Sequence, residues 1–381
     1  MPPQRKKSSK TTQKLSTSQI LILLALFAVV LIYQSLQEQE EVPAVLPTWT
    51  PALNAPAAPG NQPGQAPAVE NGSISVYFTD PANRDAGAEA VNQLVSAINS
   101  ARQTVDLAVY NLSLPEIGEA LIAAHERGVQ VRVVMESEAM ERQVPLSVVD
   151  AGIPMVGDQR QGLMHNKFTI IDGQLIFGGS ANYTSASFFN DYNNLVMIYS
   201  PEVAQAYTAE FDEMFNDGSF GPGASSTFDP EMNVNGIPVE VYFSPDDGVA
   251  LRIINELSKA RRSINFLAYS FTSDPIADEI LKRSKAGVTV RGVFDESQNV
   301  SNRGGEYDRF KKAGLDVRID GISGLLHNKV FIIDEKTVIT GSYNFSASAE
   351  TRNDENIMII RDPAIAAQYL EHFETVYATG K

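Results

Sequence analysis

Met164-His165-Asn166-Lys167-Phe168-Thr169-Ile170-Ile171-Asp172-Gly173 is followed, after a short apolar run, by Gly179-Ser180-Ala181-Asn182. Leu326-His327-Asn328-Lys329-Val330-Phe331-Ile332-Ile333-Asp334-Glu335 is followed in the same way by Gly341-Ser342-Tyr343-Asn344. Both fit His-x-Lys-x4-Asp-x6-Gly-Ser-x-Asn, which at ordinary residue usage arises by chance at about 10⁻⁸ per starting position. Two copies in one chain mean an internal repeat. Each reads as strand, turn, strand: the β-prone run 165–171 puts histidine and lysine, two apart, on one face. Asp172-Gly173 and Asp334-Glu335 then turn hairpins into strands at about 174–178 and 337–341.

Outward from the motifs the repeat continues. Val76-Tyr77-Phe78-Thr79 returns as Val241-Tyr242-Phe243-Ser244, and Val105-Asp106-Leu107-Ala108-Val109-Tyr110 as Ile264-Asn265-Phe266-Leu267-Ala268-Tyr269. Gly128-Val129-Gln130-Val131-Arg132-Val133 is echoed by Gly287-Val288-Thr289-Val290-Arg291-Gly292. Helical periodicity at 88–102 and 115–127 alternates with β-prone runs near 105–110 and 129–135. The expected fold class is therefore α/β, with two tandem α/β/α repeats at 73–217 and 239–381, each a largely parallel or mixed sheet covered on both faces. Gly218, Gly221, Pro222, Gly223 and Pro230 mark 218–238 as a linker.

The first 72 residues have a different character. A basic tail, 1–14, precedes an uncharged stretch, 15–37, long enough to span a bilayer as one transmembrane helix. No small-x-small cleavage site follows it, so an uncleaved anchor is expected. Basic residues before it and acidic ones after place the N-terminus in the cytoplasm and the folded part outside, in a single-pass membrane protein. Residues 38–72, rich in Pro and Ala, form a tether.

Composition narrows the chemistry. With no cysteine among 381 residues, thiolate metal sites, disulfides and cysteine nucleophiles are excluded. The net charge is −16; five basic and four acidic residues precede residue 72, leaving −17 for the rest. So acidic a body weighs against tight general binding of nucleic acid, which needs local cations.

Each repeat offers an imidazole (His165, His327), an ammonium (Lys167, Lys329) and an amide (Asn182, Asn344). Facing each other, they would surround one tetrahedral phosphate. One neutral imidazole could attack phosphorus while the other, protonated, serves the leaving oxygen and then activates water. The lysines and asparagines would stabilise the non-bridging oxygens. Asp172 and Asp334 enter as candidate catalytic groups or as supports of the turn, Ser180 and Ser342 as phosphate-binding or supporting hydroxyls. No carboxylate cluster suggests a metal, and no cofactor is called for.

The doubled motif resembles the phospholipase D superfamily, over nearly everything from about 74 to 377. In the second half Ala268-Tyr269-Ser270-Phe271-Thr272 and Asn353-Asp354-Glu355-Asn356 are similar to the short bacterial endonuclease and mitochondrial cardiolipin hydrolase-like branch. The resemblance implies a pseudo-dimer with one active site, a phosphohistidine intermediate and no metal. It also implies an acidic residue backing the histidine. Glu355 lies 28 residues after His327, where the first repeat has Asn193. The expectation is that Glu355 backs His327 as the acid and that Asn193 leaves His165 as the nucleophile. The expected substrate is phospholipid of the anchoring bilayer, hydrolysed to phosphatidic acid. An extracytoplasmic endonuclease, transfer to an alcohol, and a non-catalytic lipid- or nucleic-acid-binding module are the alternatives. A monomer suffices, because both half-sites lie in one chain.

Overall fold

Both motif stretches fold as central hairpins, for a local reason. Asp172 and Gly173 (φ 52° and 62°), like Asp334 and Glu335 (52° and 55°), take the left-handed backbone of a tight two-residue turn. From these hairpins the computed structural model, which describes residues 72–223 and 228–381, builds two mixed sheets. The expected anchor at 15–37 and the tether from 38 to 71 lie outside the described residues. Among the described residues no helix is long and apolar enough to cross a membrane.

The first sheet has β1 (Ser73–Phe78), β2 (Thr104–Val109), β3 (Gln130–Met135), β4 (Met155–Gly157), β5 (Lys167–Ile171), β6 (Leu175–Gly179) and β7 (Asn194–Tyr199), in the order β1-β7-β6-β5-β2-β3-β4. The second has β8 (Glu231–Val234), β9 (Ile237–Ser244), β10 (Ser263–Ala268), β11 (Thr289–Phe294), β12 (Asp316–Ile319), β13 (Lys329–Ile333), β14 (Thr337–Gly341) and β15 (Glu355–Arg361), in the order β12-β11-β10-β13-β14-β15-β9-β8. β2, β3 and β4 run parallel, as do β10, β11 and β12. The helices Arg84–Ser100 and Pro115–Glu126 follow strands as the periodicity at 88–102 and 115–127 predicts, and Val249–Lys259 and Asp274–Lys285 are their counterparts in the second repeat. One expectation needs correcting: the stretch 218–238 is not all linker, because β8 pairs with β9 inside it. Asn235 and Gly236, both at positive φ, close that hairpin, and Asn233 Oδ1 accepts the Gly236 N–H at 2.7 Å.

Three hydrophobic cores hold the repeats. One lies wholly in the first repeat, around Leu94, Leu107, Leu121 and Phe177, and its counterpart in the second is built around Ile253, Phe266, Phe310 and Phe331. The third is shared. Phe168, Tyr207 and Phe211 meet Phe243, Val330, Met358, Tyr369 and Phe373, so the inner faces of both sheets are buried against each other's elements. Two equivalent helices, Pro201–Asp217 and Pro363–Thr379, line this middle core. Each starts on a capping side chain followed by proline: Ser200 accepts the Val203 N–H and Asp362 the Ile365 N–H. A truncation such as Phe168→Ala in this shared layer costs about 3–5 kcal/mol and loosens both repeats at once. The two motif stretches meet on this seam.

Candidate active site

The strand starts bring the two motifs together by an exchange across the seam. Each motif histidine just precedes its strand, β5 or β13, and its backbone is held by the other repeat. The His165 N–H donates to Asp354 O at 3.0 Å and the His327 N–H to Tyr192 O at 2.9 Å. The side chains cross in the same way. His165 Nδ1 lies 2.6 Å from Glu355 Oε2, and His327 Nδ1 lies 2.9 Å from Asn193 Oδ1 and 3.1 Å from Ser180 O. With Nδ1 of each ring so engaged, Nε2 is the nitrogen left to meet a substrate.

Lys167 and Lys329 are 1% and 2% exposed. Each folds back so that Nζ donates to the carbonyl of its own histidine, both at 2.7 Å. Burial dominates the protonation of the whole group. It pushes Lys167 down to about 7, against the pull of Glu355, and Lys329 well below the usual lysine range, helped by the charge of Lys167. Burial also lowers both imidazoles well below their ordinary value, and the two lysines add to the effect. Glu355 is pushed up by burial to about 7, with Lys167 opposing.

Asn182 and Asn344 follow the strand ends, and Oδ1 of each is buried without a protein partner. The same amide oxygen is orphaned in both repeats. Ser180 and Ser342 behave differently. Both are fully buried: Ser180 Oγ donates to Asn193 Oδ1 at 2.9 Å, and Ser342 Oγ accepts the Asn356 N–H at 3.0 Å. Both hydroxyls support the groups behind the opposite histidine: Ser180 bonds Asn193, and Ser342 bonds Glu355.

Two motif copies sharing one site can now be set beside known proteins. The family model described as cardiolipin synthase, PLD-like domain, matches twice, over residues 94–215 and 253–377. The chain belongs to the phospholipase D family. A Rickettsia conorii phospholipase D is 39% identical over 135 residues, 35% of this chain and 67% of that protein. The human mitochondrial cardiolipin hydrolase is 32% identical over 150 residues, 39% of this chain and 58% of that protein. Among solved structures, the phosphatidylserine synthase of Haemophilus influenzae Rd KW20 aligns with a TM-score of 0.62 at 13% identity, covering 81% of this chain and 87% of that one. At that identity it speaks for the fold alone.

In this phospholipase D-family phosphodiesterase two sequence expectations are corrected. Glu355 does not back His327; it backs His165, because the segment after each hairpin crosses to the other repeat's histidine. Asp172 and Asp334 are not at the phosphate position. They lie at the far ends of β5 and β13, roughly 16 Å along the strand from the lysines at about 3.3 Å per residue. There Asp172 accepts the N–H groups of Arg102, Gln103 and Thr104, and Asp334 those of Arg261, Arg262 and Ser263. They tie the hairpin turn to the start of β2 or β10, a structural role repeated twice.

The structure also adds groups that motif spacing alone did not single out. Glu136 Oε2 accepts the Met164 N–H and Asp295 Oδ2 the Leu326 N–H, fixing the peptide just before each histidine. Burial, with Asp158 adding to it, pushes Glu136 up to about 7. Asn166 and Asn328, the middle residues of the two motifs, are fully buried and bond across the seam. Asn356 Nδ2 donates to Asn166 Oδ1 at 2.7 Å, and Asn328 Nδ2 to Asn194 Oδ1 at 3.3 Å. Their equal spacing in the repeat, 162 residues, is the signal that could have paired them. Of the arginines, Arg160 is tied to Asp354 and to Arg352 O, whereas Arg142 and Arg303 are exposed.

Proposed function

We propose that the protein is a membrane-anchored phospholipase D that hydrolyses phospholipid to phosphatidic acid, with His165 as the nucleophile and His327 as the acid and base. The observation that carries the role assignment is the His165–Glu355 contact. A ring that attacks phosphorus through Nε2 gains positive charge, so a carboxylate on its Nδ1–H favours the transition state over the ground state. Behind the acid the same carboxylate would favour the starting imidazolium and resist proton release. An amide, as at Asn193, orients His327 without that resistance.

In the first step the His165 Nε2–P bond forms and the bond from phosphorus to the head-group oxygen breaks. His327 gives its Nε2 proton to that oxygen. In the second, His327 takes a proton from water, the water oxygen bonds to phosphorus and the N–P bond breaks. Phosphatidic acid leaves and His165 is restored. Lys167, Lys329, Asn182 and Asn344 meet the non-bridging oxygens, where negative charge is concentrated. Apart from the substrate and one water, the scheme uses only side chains of this protein.

The bilayer as substrate is supported by the uncharged stretch 15–37, by the acidic body and by the names of the relatives, with cardiolipin among the diesters to be tried. An anchor raises the effective concentration of lipid at the site, with the catalytic part on the outer face of the membrane and the N-terminus in the cytoplasm. The test is the full-length protein in detergent, supplied in EDTA with vesicles of phosphatidylethanolamine, phosphatidylglycerol and cardiolipin. Phosphatidic acid release that vanishes in His327→Ala is the expected result. Cleavage of single-stranded DNA or RNA without lipid turnover would replace the lipid reading with an endonuclease. No turnover of either would leave a binding module.

A further inference from the structure

Two half-buried tyrosines hold the same place in each half-site and have no part in the steps above. Tyr110 follows β2 and Tyr269 follows β10, where each backbone N–H donates to the carbonyl of the asparagine inside the facing motif, Asn166 or Asn328. The Tyr110 ring stands at 62° to the His165 ring with centres 5.1 Å apart, and Lys167 Nζ lies 5.3 Å from its centre. The Tyr269 ring stands at 61° to His327 at 4.6 Å, with Lys329 Nζ at 4.7 Å. One ring thus touches both the imidazole and the ammonium of its motif, and the arrangement is built twice.

The lysines need such a neighbour. An ammonium taken out of water loses its proton unless something compensates for the lost hydration. Among the described residues, the hydrogen bond of each ammonium is the one to its histidine's carbonyl. The charged and titratable groups facing the lysines are Glu355, the two imidazoles and, for Lys329, also Asp191, Asp295 and Lys167. Glu355 is already committed to His165, and the two lysines repel each other. Asp191 and Asp295 pull on Lys329 from a distance; for both lysines the π face of the adjoining aromatic ring is the neighbour that touches the ammonium and favours its charged form.

We infer that Tyr110 and Tyr269 are positioning residues: the face of each ring keeps the lysine beside it protonated, and its contact with the imidazole sets the angle of the histidine. The inference rests on the phosphodiesterase reading, and its test separates the two. With the full-length protein and bis(4-nitrophenyl) phosphate, the rate of the wild type should fall on the alkaline side as the lysines lose their protons. Tyr269→Leu should move that limb down by about one pH unit, and Tyr110→Leu by less, since Lys167 sits farther from its ring. Tyr269→Phe and Tyr110→Phe keep the π face and should leave the limb where the wild type has it, whatever they do to the rate. Binding of inorganic sulfate, whose charge is constant across this range, should weaken with rising pH at the same shifted position in the leucine variants. Leucine variants with the wild-type pH dependence of sulfate binding would overturn the inference. Absence of wild-type turnover would instead count against the phosphodiesterase reading, and sulfate binding would still decide the tyrosines.

Discussion

The two repeats are alike in everything that shapes the site and unlike in what carries protons through it. Histidine, asparagine and lysine of the motif, the serine behind it, the orphaned amide, the tyrosine on the lysine and the aspartate in the distant turn all recur at equivalent positions. Three of the differences bear on charge and backbone geometry. Glu355 stands where the first repeat has Asn193, His372 where it has Glu210, and Glu335 where it has Gly173. Because each repeat lends its backing residue to the other's histidine, one carboxylate in one repeat makes the two histidines chemically distinct. A symmetric cradle suits a tetrahedral phosphate; an asymmetric backing suits a reaction in which one ring gains charge as the other loses it.

The largest test of that division removes one ring at a time. On bis(4-nitrophenyl) phosphate, whose leaving group needs little help from an acid, His165→Asn should lose turnover by at least about 10³-fold and show no burst. His327→Asn should release one equivalent of nitrophenol quickly and then stall, with phosphorus recoverable on His165. Phosphorus found on His327 in the reciprocal variant would reverse the roles.

Next in size comes the backing pair. Glu355→Gln should lower kcat by about 100-fold with little change in KM, since the lost interaction is made chiefly with the charged ring. Asn193→Ala should cost about tenfold, the loss of an orienting hydrogen bond. Equal losses from both would mean that the carboxylate only orients.

The Glu210 and His372 difference is readable in stability. Glu210, buried beside Asn166 with its Oε1 accepting at 3.2 Å, is raised well above the carboxylate range by burial, with Asp354 adding to it. The folded state therefore keeps a proton that the unfolded state releases near pH 4.5, so this group's contribution falls as pH rises from there toward its folded value. Glu210→Gln should flatten that fall, and the variant should melt higher than the wild type at pH 8. His372, held down to about 3 by burial, has the opposite sign. Its contribution is complete above about pH 6.5 and falls as the solution is made more acidic, a loss that His372→Gln should remove. Parallel melting curves for Glu210→Gln and wild type between pH 5 and 8 would show the carboxyl to be ionised in the folded protein.

The smallest effect concerns the hairpin turns. Glu335 holds φ at 55°, a left-handed geometry that its counterpart Gly173 adopts without penalty. Glu335→Gly should stabilise the protein by about 0.5–1 kcal/mol, visible as a rise of a few degrees or less in melting temperature. A fall would show that the glutamate side chain makes a compensating contact.

Much of this molecule was legible in its residues. The hairpin, the pairing of histidine with lysine, the strands at 105–110 and 129–135 and the repeat itself follow from side-chain alternation and turn chemistry, both local. The edge strand Glu231–Val234 was hidden because Gly and Pro around it read as linker, and only its partner β9 makes it a strand. Fixed spacing left Asp172 and Asp334 open as catalytic groups or as supports of the turn, and they are supports of the turn. That spacing is set by strand length, and it carries them away from the site.

By itself, then, the sequence determined that one chain holds two equivalent half-sites suited to phosphoryl transfer, because motif residues and their spacing are properties of a single strand and turn. Only the tertiary structure decided which groups serve which histidine. The Glu355 segment returns to the seam and meets His165, 190 residues away in the chain. Its counterpart Asn193 meets His327, 134 residues away. Position along one strand says nothing about such a crossing, which is set by how the inner faces of two sheets pack over a shared core.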